Sequence, residues 1–444
     1  MFDWTERPAS VLQQGGVIAP DERLPWPQTA AMGVQHVIAM FGATVLAPIL
    51  MGFDPNLCIL MSGIGTLIFF LITGGKVPSY LGSSFAFIGV VIAATAYAGK
   101  GPNTNIAVAL GGIIACGVVY AIIGAIVQAL GTGWIERLMP PVVTGAIVAA
   151  IGLVLAPIAI NSASGITPDN QAGSDFARWI ALATVVAVGL VAVYAPGTLR
   201  RLPVLIGGAA GYLIYYICAN VLGLGQPIDF ARIGQAAWFG LPTFQSPVFD
   251  ARAISLIAPV AIILVAENLG HIKAIGAMTG RNLDPYLGRA FMGDGLATML
   301  SGSAGGTGMT TYAENMGVMA VTRIYSTLVF IIAAGFALLL GLSPKFGAFI
   351  GTIPGPVLGG LSIVVFGLIA ATAGRIWVEN RVDFSNPRNL ITVAVALVLG
   401  AGNFKLNVAG FTLDGIGTAT FGAIILYHLL RMTPATAERP HPAE

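Results

Sequence analysis

The chain has 444 residues, of which 56% are apolar and only 9% are charged, and its mean hydropathy is +0.85. These values lie far outside the usage of soluble globular proteins, so the composition indicates a membrane protein. The formal net charge of +2 is close to neutral and indicates no nucleic-acid partner. The three cysteines, Cys58, Cys116 and Cys218, lie in apolar runs without CxxC or His-rich spacing, so we expect neither a disulfide nor a metal site there.

The two ends of the chain are predicted to be cytoplasmic tails, at 1–23 and 432–444. The first of these carries charged residues where a cleavable signal peptide needs an apolar region, so we expect the first helix itself to direct insertion. The second is rich in Pro and Ala without an apolar face, which is typical of a short disordered end.

Apolar runs of the length needed to cross a bilayer, about 20 residues, recur along the rest of the chain. We predict fourteen spans, at 29–50, 57–74, 79–98, 105–131, 142–160, 177–195, 203–222, 253–273, 286–302, 305–322, 324–342, 352–371, 388–400 and 410–430. Of the 21 Lys and Arg residues, fifteen then lie on the side of the two termini and six on the other. This asymmetry favours a cytoplasmic location for both termini.

Fourteen spans divide into two sets of seven, and a repeat of odd span number must insert its second copy upside down. The third span opens with "VPSYLGSSFAFIGV" and its counterpart, the tenth, with "SGSAGGTGMTTYAENMGV". Both are rich in Gly, Ser and Thr, and non-helical backbone is tolerated in a membrane only where it pairs or lines a cavity. The predicted fold is therefore an all-α polytopic membrane protein with a seven-plus-seven inverted repeat, whose third and tenth spans are half extended strand and half helix. Phe85 and Ala313 would lie near the crossing, where free amides and helix N-termini converge.

Carboxylates inside predicted spans are the candidate functional groups, because each costs at least about 2.5 kcal/mol to insert. Glu267 lies in mid-span four residues before His271, which places both on one helical face. It is either a substrate acceptor with His271 in a proton pathway, or one half of a structural pair. Glu314 begins the tenth half helix, where it either binds a ligand or caps the helix.

For other polar groups in the predicted spans, the sequence gives less reason to expect a direct functional role. Asp294 and Asp414 each lie beside Gly near a span end, which favours hydrogen bonding between helices over transport. Gln35 and His36 lie in the first span, the repeat partner of the eighth, and are predicted to brace the site by hydrogen bonds.

The stretch "ENMGVMAVTR", residues 314–323, resembles the signature of the nucleobase–ascorbate transporters, also called the nucleobase:cation symporter-2 family. The resemblance extends over nearly the whole chain and includes "QHVIAMFGATVLAPIL", "VPSYLGSSFAFIG" and "AENLGHIKA". Within the family the chain is most similar to the bacterial permeases for uracil and other pyrimidines.

The resemblance implies two intertwined domains and proton-coupled uptake of a nucleobase by an elevator-like mechanism across the inner membrane. Residues 24–131 and 253–343 would form the substrate-binding core, and 132–252 and 344–431 a gate domain that also forms a homodimer. Carried over position by position, the substrate-binding residues would be Glu267, Glu314, Phe85, Ala313, Tyr312 and Ala43. His271 and Glu267 would couple to the proton, with Gln35, His36 and Asn315 in support. One departure is Ala313, where the uracil permeases have Gly, so the choice of substrate stays open.

The chemistry of the two carboxylates supports a nucleobase substrate independently of the family resemblance. A uracil-like ring alternates N–H donors with carbonyl acceptors, so carboxylates can accept from it while backbone amides donate to it. A buried carboxylate also binds a proton readily, because desolvation disfavours its charged form. Proton symport would then need no metal and no organic cofactor.

Two other readings stay open, apart from a purine or xanthine permease of the same family. An anion transporter of seven-plus-seven fold would share the architecture, but we expect cations or bare helix ends at its centre. An intramembrane enzyme would need a nucleophile and base or a metal triad, and the sequence contains no HExxH, GxSxG or paired-Asp motif. We therefore expect no enzyme activity.

Overall fold

The structure is a computed structural model, and it describes residues 3–97, 99, 101–167, 170–196, 199–200, 202–408 and 411–430. The predicted tail at 432–444 lies outside the described residues. So do four of the basic residues used for the orientation, Lys100, Arg201, Arg431 and Arg439.

The described chain is built mainly of helices. In the first half these are α1 (Ser10–Gln13), α2 (Trp26–Met51), α3 (Pro55–Ile72), α4 (Phe87–Thr95), α5 (Ile106–Leu130), α6 (Gly133–Leu138), α7 (Pro141–Val154), α8 (Ala156–Ala163), α9 (Asp175–Tyr194) and α10 (Pro203–Tyr216), which continues as a π-helix over Ile217–Val221. In the second half they are α11 (Ala231–Gln235), α12 (Ala251–Ile257), α13 (Val260–Thr279), a 3₁₀ turn at Asp284–Tyr286, α14 (Leu287–Ala304), α15 (Ala313–Thr322), α16 (Thr327–Gly341), α17 (Pro344–Ile350), α18 (Gly355–Glu379), α19 (Pro387–Ala401) and α20 (Gly415–Leu429).

Eight helices among the described residues are long and apolar enough to cross a membrane, counting α7 with α8, α10 with its π-helix, and α12 with α13 as single helices. The pair α16 and α17 would make a ninth, although it bends by 85°. The chain is thus a largely helical, multi-pass membrane protein.

Three two-stranded sheets accompany the helices. Strands β1 (Thr5–Glu6) and β2 (Glu22–Arg23) pair in parallel, and β5 (Leu406–Val408) and β6 (Phe411–Leu413) form an antiparallel hairpin. Strands β3 (Leu81–Ser83) and β4 (Met309–Thr311) are antiparallel although more than 220 residues separate them in the chain. This last pair joins the two halves of the sequence.

Helices α5 and α14 pack closely because glycines face each other across their interface. A Cβ at Gly117 would lie 2.7 Å from the Gly295 carbonyl oxygen, and a Cβ at Gly124 would lie 2.6 Å from the Met292 amide nitrogen. Small residues of this kind let membrane helices approach to backbone contact.

Many of the other helix contacts fall into two groups. Helix α3 packs on α14 and α16, and α2 packs on α16. In the second group α18 packs on α7, α8 and α9, while α19 packs on α20 and α7.

The N-terminal segment before α2 is folded onto the rest of the chain. Ile18 is fully buried, its N–H donates to the Arg323 carbonyl at 3.0 Å, and its own carbonyl accepts from the Tyr325 N–H at 2.8 Å. Asp21 forms an ion pair with Arg281 at 2.6 Å. The segment therefore covers the connection between α15 and α16 and the turn after α13.

Candidate functional site

The candidate site is organised around the paired strands β3 and β4. Their register sets Leu81 opposite Thr311 and Ser83 opposite Met309. Each strand then leads into a short helix, β3 into α4 and β4 into α15, and neither helix has a side-chain cap among the described residues. The amides of both first turns and the positive ends of both helix dipoles are thus directed to the crossing region.

Two threonines hold the strands in equivalent ways. The Leu81 N–H donates to Thr66 Oγ1 on α3 at 3.0 Å, and the Met309 N–H donates to Thr298 Oγ1 on α14 at 3.0 Å. Each threonine thereby satisfies a backbone donor that the short strand leaves free. Sequence reasoning missed both residues, because a Thr in an apolar helix has no distinctive spacing.

Tyr312 follows β4 directly and is buried, with 3% of its surface exposed. Its hydroxyl donates to the Ser83 carbonyl at 3.0 Å and accepts from Thr44 Oγ1 at 3.1 Å. Gly82 lies against the phenol ring, where a Cβ would clash with the ring atoms. Tyr312 therefore locks β3 to α2, next to the buried Ala43 on the same helix.

The two predicted acids lie on α13 and α15. Glu267 is half-buried and Glu314 is exposed, and the two helices contact each other. The residue at the N-cap of α15 is Tyr312, and Glu314 is the second residue of the helix. Ala313, in the first position of the helix, is also exposed, so its methyl group lies on the same accessible surface as Glu314.

His271 lies on α13 and bonds to the strand pair. Its Nδ1 is 2.9 Å from Thr311 Oγ1, at the end of β4. The structure gives no hydrogen bond between this imidazole and Glu267 among the described residues, so their common helical face does not produce a direct pair. The partner of His271 is thus a hydroxyl that the sequence analysis did not single out.

The Thr311 hydroxyl continues into a buried polar network. It donates to Asn268 Oδ1 at 3.1 Å, and Asn268 Nδ2 donates to Asp294 Oδ2 at 2.7 Å and to the Tyr120 hydroxyl at 2.9 Å. Asp294 on α14 thus forms the bonds between helices that its sequence context favours. Asp414 instead caps α20, where its Oδ1 accepts the Gly417 N–H at 2.9 Å.

Helix α2 contacts α15 through a histidine and an amide. Asn315 Nδ2 lies 3.0 Å from His36 Nδ1 and donates to the His36 carbonyl at 3.1 Å, and the imidazole packs against Phe330 at 4.6 Å between ring centroids. The side-chain nitrogen of Gln35 is buried without a partner among the described residues.

Phe85 lies between β3 and α4 and is 9% exposed. Its ring packs edge-on against Phe366 of α18, with 5.7 Å between centroids. This contact joins the strand pair to the second group of helices.

One side of the site is accessible. Ala313, Glu314, Gly317 and Val321 form an exposed stripe along α15, and Gly270 is exposed on α13. A Cβ at Gly270 or Gly317 would meet no atom within 4 Å. Lys273 and Ala277 on α13 and Arg323 after α15 are exposed as well, so this surface continues toward the ends that the N-terminal segment covers.

Two short helices that meet paired strands, with carboxylates beside them, are the arrangement by which membrane transporters build a site within the bilayer. Together with the spans described above, they define the class of the chain as a multi-pass membrane transporter. The chain belongs to a permease family, whose sequence model matches residues 27–409. The prediction of a nucleobase:cation symporter-2 member is confirmed, and the chain is a transporter rather than an enzyme.

Relatives match over nearly the full chain. The chain is 66% identical to the "Putative pyrimidine permease RutG" of Escherichia coli (strain K12), over 95% of this chain and 93% of that protein. It is 41% identical to the "Uracil permease" of Paenibacillus larvae, over 92% of this chain and 96% of that protein.

Solved structures share the fold at low sequence identity. The transmembrane domain of the cyanobacterial bicarbonate transporter BicA superimposes with a TM-score of 0.63 at 18% identity, over 89% of this chain and 96% of that one. A likeness at this identity concerns the fold alone.

Proposed function

We propose that the protein takes up uracil or a related pyrimidine nucleobase across the inner membrane together with a proton. The observation that carries the proposal is the position of Glu267 and Glu314, on two helices that contact each other beside the β3–β4 crossing. The names of the relatives, which are permeases for pyrimidine and uracil, support the same substrate class.

The ring chemistry assigns a role to each side of the site. The carboxylates of Glu267 and Glu314 accept the ring N–H groups, and the backbone amides near Phe85 and Ala313 donate to the ring carbonyls. Tyr312 and Ala43 line the pocket behind the strands. Because Ala313 is exposed, its methyl group contacts the ligand and contributes to the choice among bases.

Proton coupling involves Glu267 and His271. Thr311 bonds to His271 on one side and to Asn268 on the other, so a change in the charge of the imidazole reorganises the hydrogen bonds around β4. His36 and Asn315 brace α15 against α2, with Gln35 beside them. The proton is the only coupling agent, without a metal or an organic cofactor.

The architecture behind this function is a seven-plus-seven inverted repeat of fourteen spans. Support comes from the equivalent bonds of Thr66 and Thr298, which lie on α3 and α14, the second and ninth spans. The first group of packed helices falls within the core at 24–131 and 253–343, and the second within the gate domain at 132–252 and 344–431.

Transport follows an elevator-like movement of core against gate in a homodimer that sits in the lipid of the inner membrane, with both termini in the cytoplasm. The accessible stripe on α13 and α15 corresponds to a state open to the cytoplasm.

A second candidate is an anion transporter, which would share the seven-plus-seven architecture. Two carboxylates in the site oppose it, because they repel a bound anion. A purine or xanthine permease is the alternative within the family. Calorimetric titration of the purified protein with uracil, thymine, xanthine and bicarbonate tests all of these. We expect uracil to bind most tightly, and preferential binding of bicarbonate would overturn the proposal.

A further inference from the structure

A strap of extended chain, residues 236–249, runs from α11 to α12 on the face opposite the N-terminal segment. Its sequence is "AAWFGLPTFQSPVF", and it contains no charged residue or histidine. The strap ends where Asp250 caps α12 by accepting the Ala253 N–H at 2.8 Å.

Backbone hydrogen bonds hold the strap across the ends of several helices. The Gly240 N–H donates to the Leu342 carbonyl after α16 at 2.9 Å, and the Gln245 N–H donates to the Ala304 carbonyl of α14 at 3.0 Å. The Val248 N–H donates to the Ala107 carbonyl of α5 at 2.8 Å. The Ala237 carbonyl accepts the N–H of Lys345 on α17 at 3.0 Å. The strap therefore has a defined path at the ends of these helices.

The side chains of the strap face away from the protein. Trp238 is 77% exposed, Phe239 70% and Leu241 74%, and further along Phe244 and Phe249 are exposed as well. The ammonium of Lys345 lies 4.8 Å from the centre of the Trp238 ring. So large an apolar patch on an ordered segment marks an interaction surface.

We propose that this patch is a membrane anchor whose partner is the headgroup region of the lipid bilayer. Helix α5 is long and apolar enough to cross the membrane, as is α3, and α14 packs on both. The ends of this helix group, and the strap with them, therefore lie at the level of the interface. Aromatic rings flanked by a lysine are typical of that level. An extended backbone that makes only scattered bonds to the protein cannot enter the hydrocarbon, whereas the headgroup region supplies water and polar groups. The patch is also continuous with the lipid-facing surface of the same helices.

The anchor has a mechanical consequence. Its backbone bonds go to α5, α14 and the end of α16, which belong to the proposed core, and to α17, which belongs to the proposed gate domain. The strap therefore resists movement of those helices along the membrane normal. This consequence rests on the proposed function, but the lipid contact itself does not.

The test uses Trp238 as its own reporter. The fluorescence of the full-length protein and of Trp238→Phe is measured in phosphatidylcholine vesicles whose acyl chains carry bromine either near the headgroup or near the chain end. The difference between the two proteins isolates the signal of Trp238. We expect strong quenching by the shallow bromines, weaker quenching by the deep ones, and protection from aqueous iodide.

Trp4→Phe is the matched control, because Trp4 lies in the N-terminal segment, where it stacks on Phe70 and donates to Thr327. Its difference signal should not depend on bromine position. Quenching of Trp238 by iodide but not by brominated lipid would overturn the proposal, since the patch would then face water. Protection from both quenchers that is lost on dilution would also overturn it, because the patch would then cover a second copy of the chain.

Discussion

The carboxylate of Glu267 is the residue on which the proposed binding mode depends most. In Glu267→Gln the side chain keeps its size, but an amide cannot carry charge and offers donors to a ring N–H. We expect the variant to insert and fold normally and to lose uracil transport. Uptake into vesicles and calorimetric binding check this, with thermal stability measured on the same preparation. Uptake equal to the unmodified protein would refute a role for Glu267 in binding.

Two substitutions at Glu314 distinguish a role in binding the ligand from a role in stabilising the end of helix α15. Glu314→Asp keeps a negative charge in the first turn of α15 but withdraws the carboxylate by one methylene, whereas Glu314→Ala removes it. A hydrogen bond to a charged group is worth about 1.5–3 kcal/mol, which is more than tenfold in affinity. We expect both variants to bind uracil at least about tenfold more weakly, with little change in melting temperature, since Glu314 does not cap the helix.

One result with the Glu314 variants would contradict a role in ligand binding. If Glu314→Asp binds uracil as the unmodified protein does, while Glu314→Ala loses both stability and affinity, then Glu314 stabilises the helix end and Glu267 holds the ring with the backbone.

Sequence reasoning located the residues with unusual chemistry in a membrane but not their partners. Glu267 and His271 share a helical face as predicted, yet His271 bonds to Thr311, which arrives from a strand 40 residues later. Asn268, Thr311 and Tyr120 are ordinary polar residues until folding joins them to Asp294. A spacing within one helix predicts which side chains share a face, and it contains no information on what another element places there.

At the scale of elements, the strand pair is predicted to depend equally on its two threonines. Thr66→Val and Thr298→Val keep the shape of the side chain and each leave one buried strand N–H without its acceptor. Such an unsatisfied donor costs about 1–3 kcal/mol. We expect both variants to lower the melting temperature and weaken uracil binding to a similar extent.

Thr372→Val is the matched control, because Thr372 is exposed on α18 and its hydroxyl donates to the Leu368 carbonyl of its own helix. Its melting temperature should stay close to that of the unmodified protein. Near-normal stability in either strand variant would show that the threonine bonds do not hold the crossing.

The N-terminal segment is predicted to be a structural part of the helix group that carries the site. Ile18→Ala removes a fully buried side chain and should cost about 2–5 kcal/mol locally, which detaches the segment from the link between α15 and α16. Faster tryptic cleavage after Arg7 and Arg23 would report this. Val17→Ala is the control, since Val17 is 39% exposed, and it should leave the cleavage rate unchanged. Equal cleavage rates in the two variants would mean that the segment is only loosely attached.

At the scale of the whole molecule, the sequence predicts the extended stretches within the spans better than it predicts the folded N-terminal segment. The extended stretches at Leu81–Ser83 and Met309–Thr311 lie within predicted spans whose Gly, Ser and Thr content disfavours a continuous helix. The folded N-terminal segment could not be predicted in the same way. Its attachment depends on a few side-chain contacts, such as the burial of Ile18 and the ion pair of Asp21 with Arg281, and on backbone bonds that any sequence can make. Membrane burial strongly restricts the pattern of spans, while surface segments have no such restriction.

The central claim is that uracil enters together with a proton, and one uptake experiment tests it most directly. Purified protein in vesicles is given radiolabelled uracil under an imposed pH gradient, acidic outside, with and without a protonophore and with sodium exchanged for potassium. The account predicts accumulation of unmodified uracil above its external concentration, faster at lower external pH, abolished by the protonophore and indifferent to sodium. Accumulation that follows a sodium gradient and persists with the protonophore would contradict it.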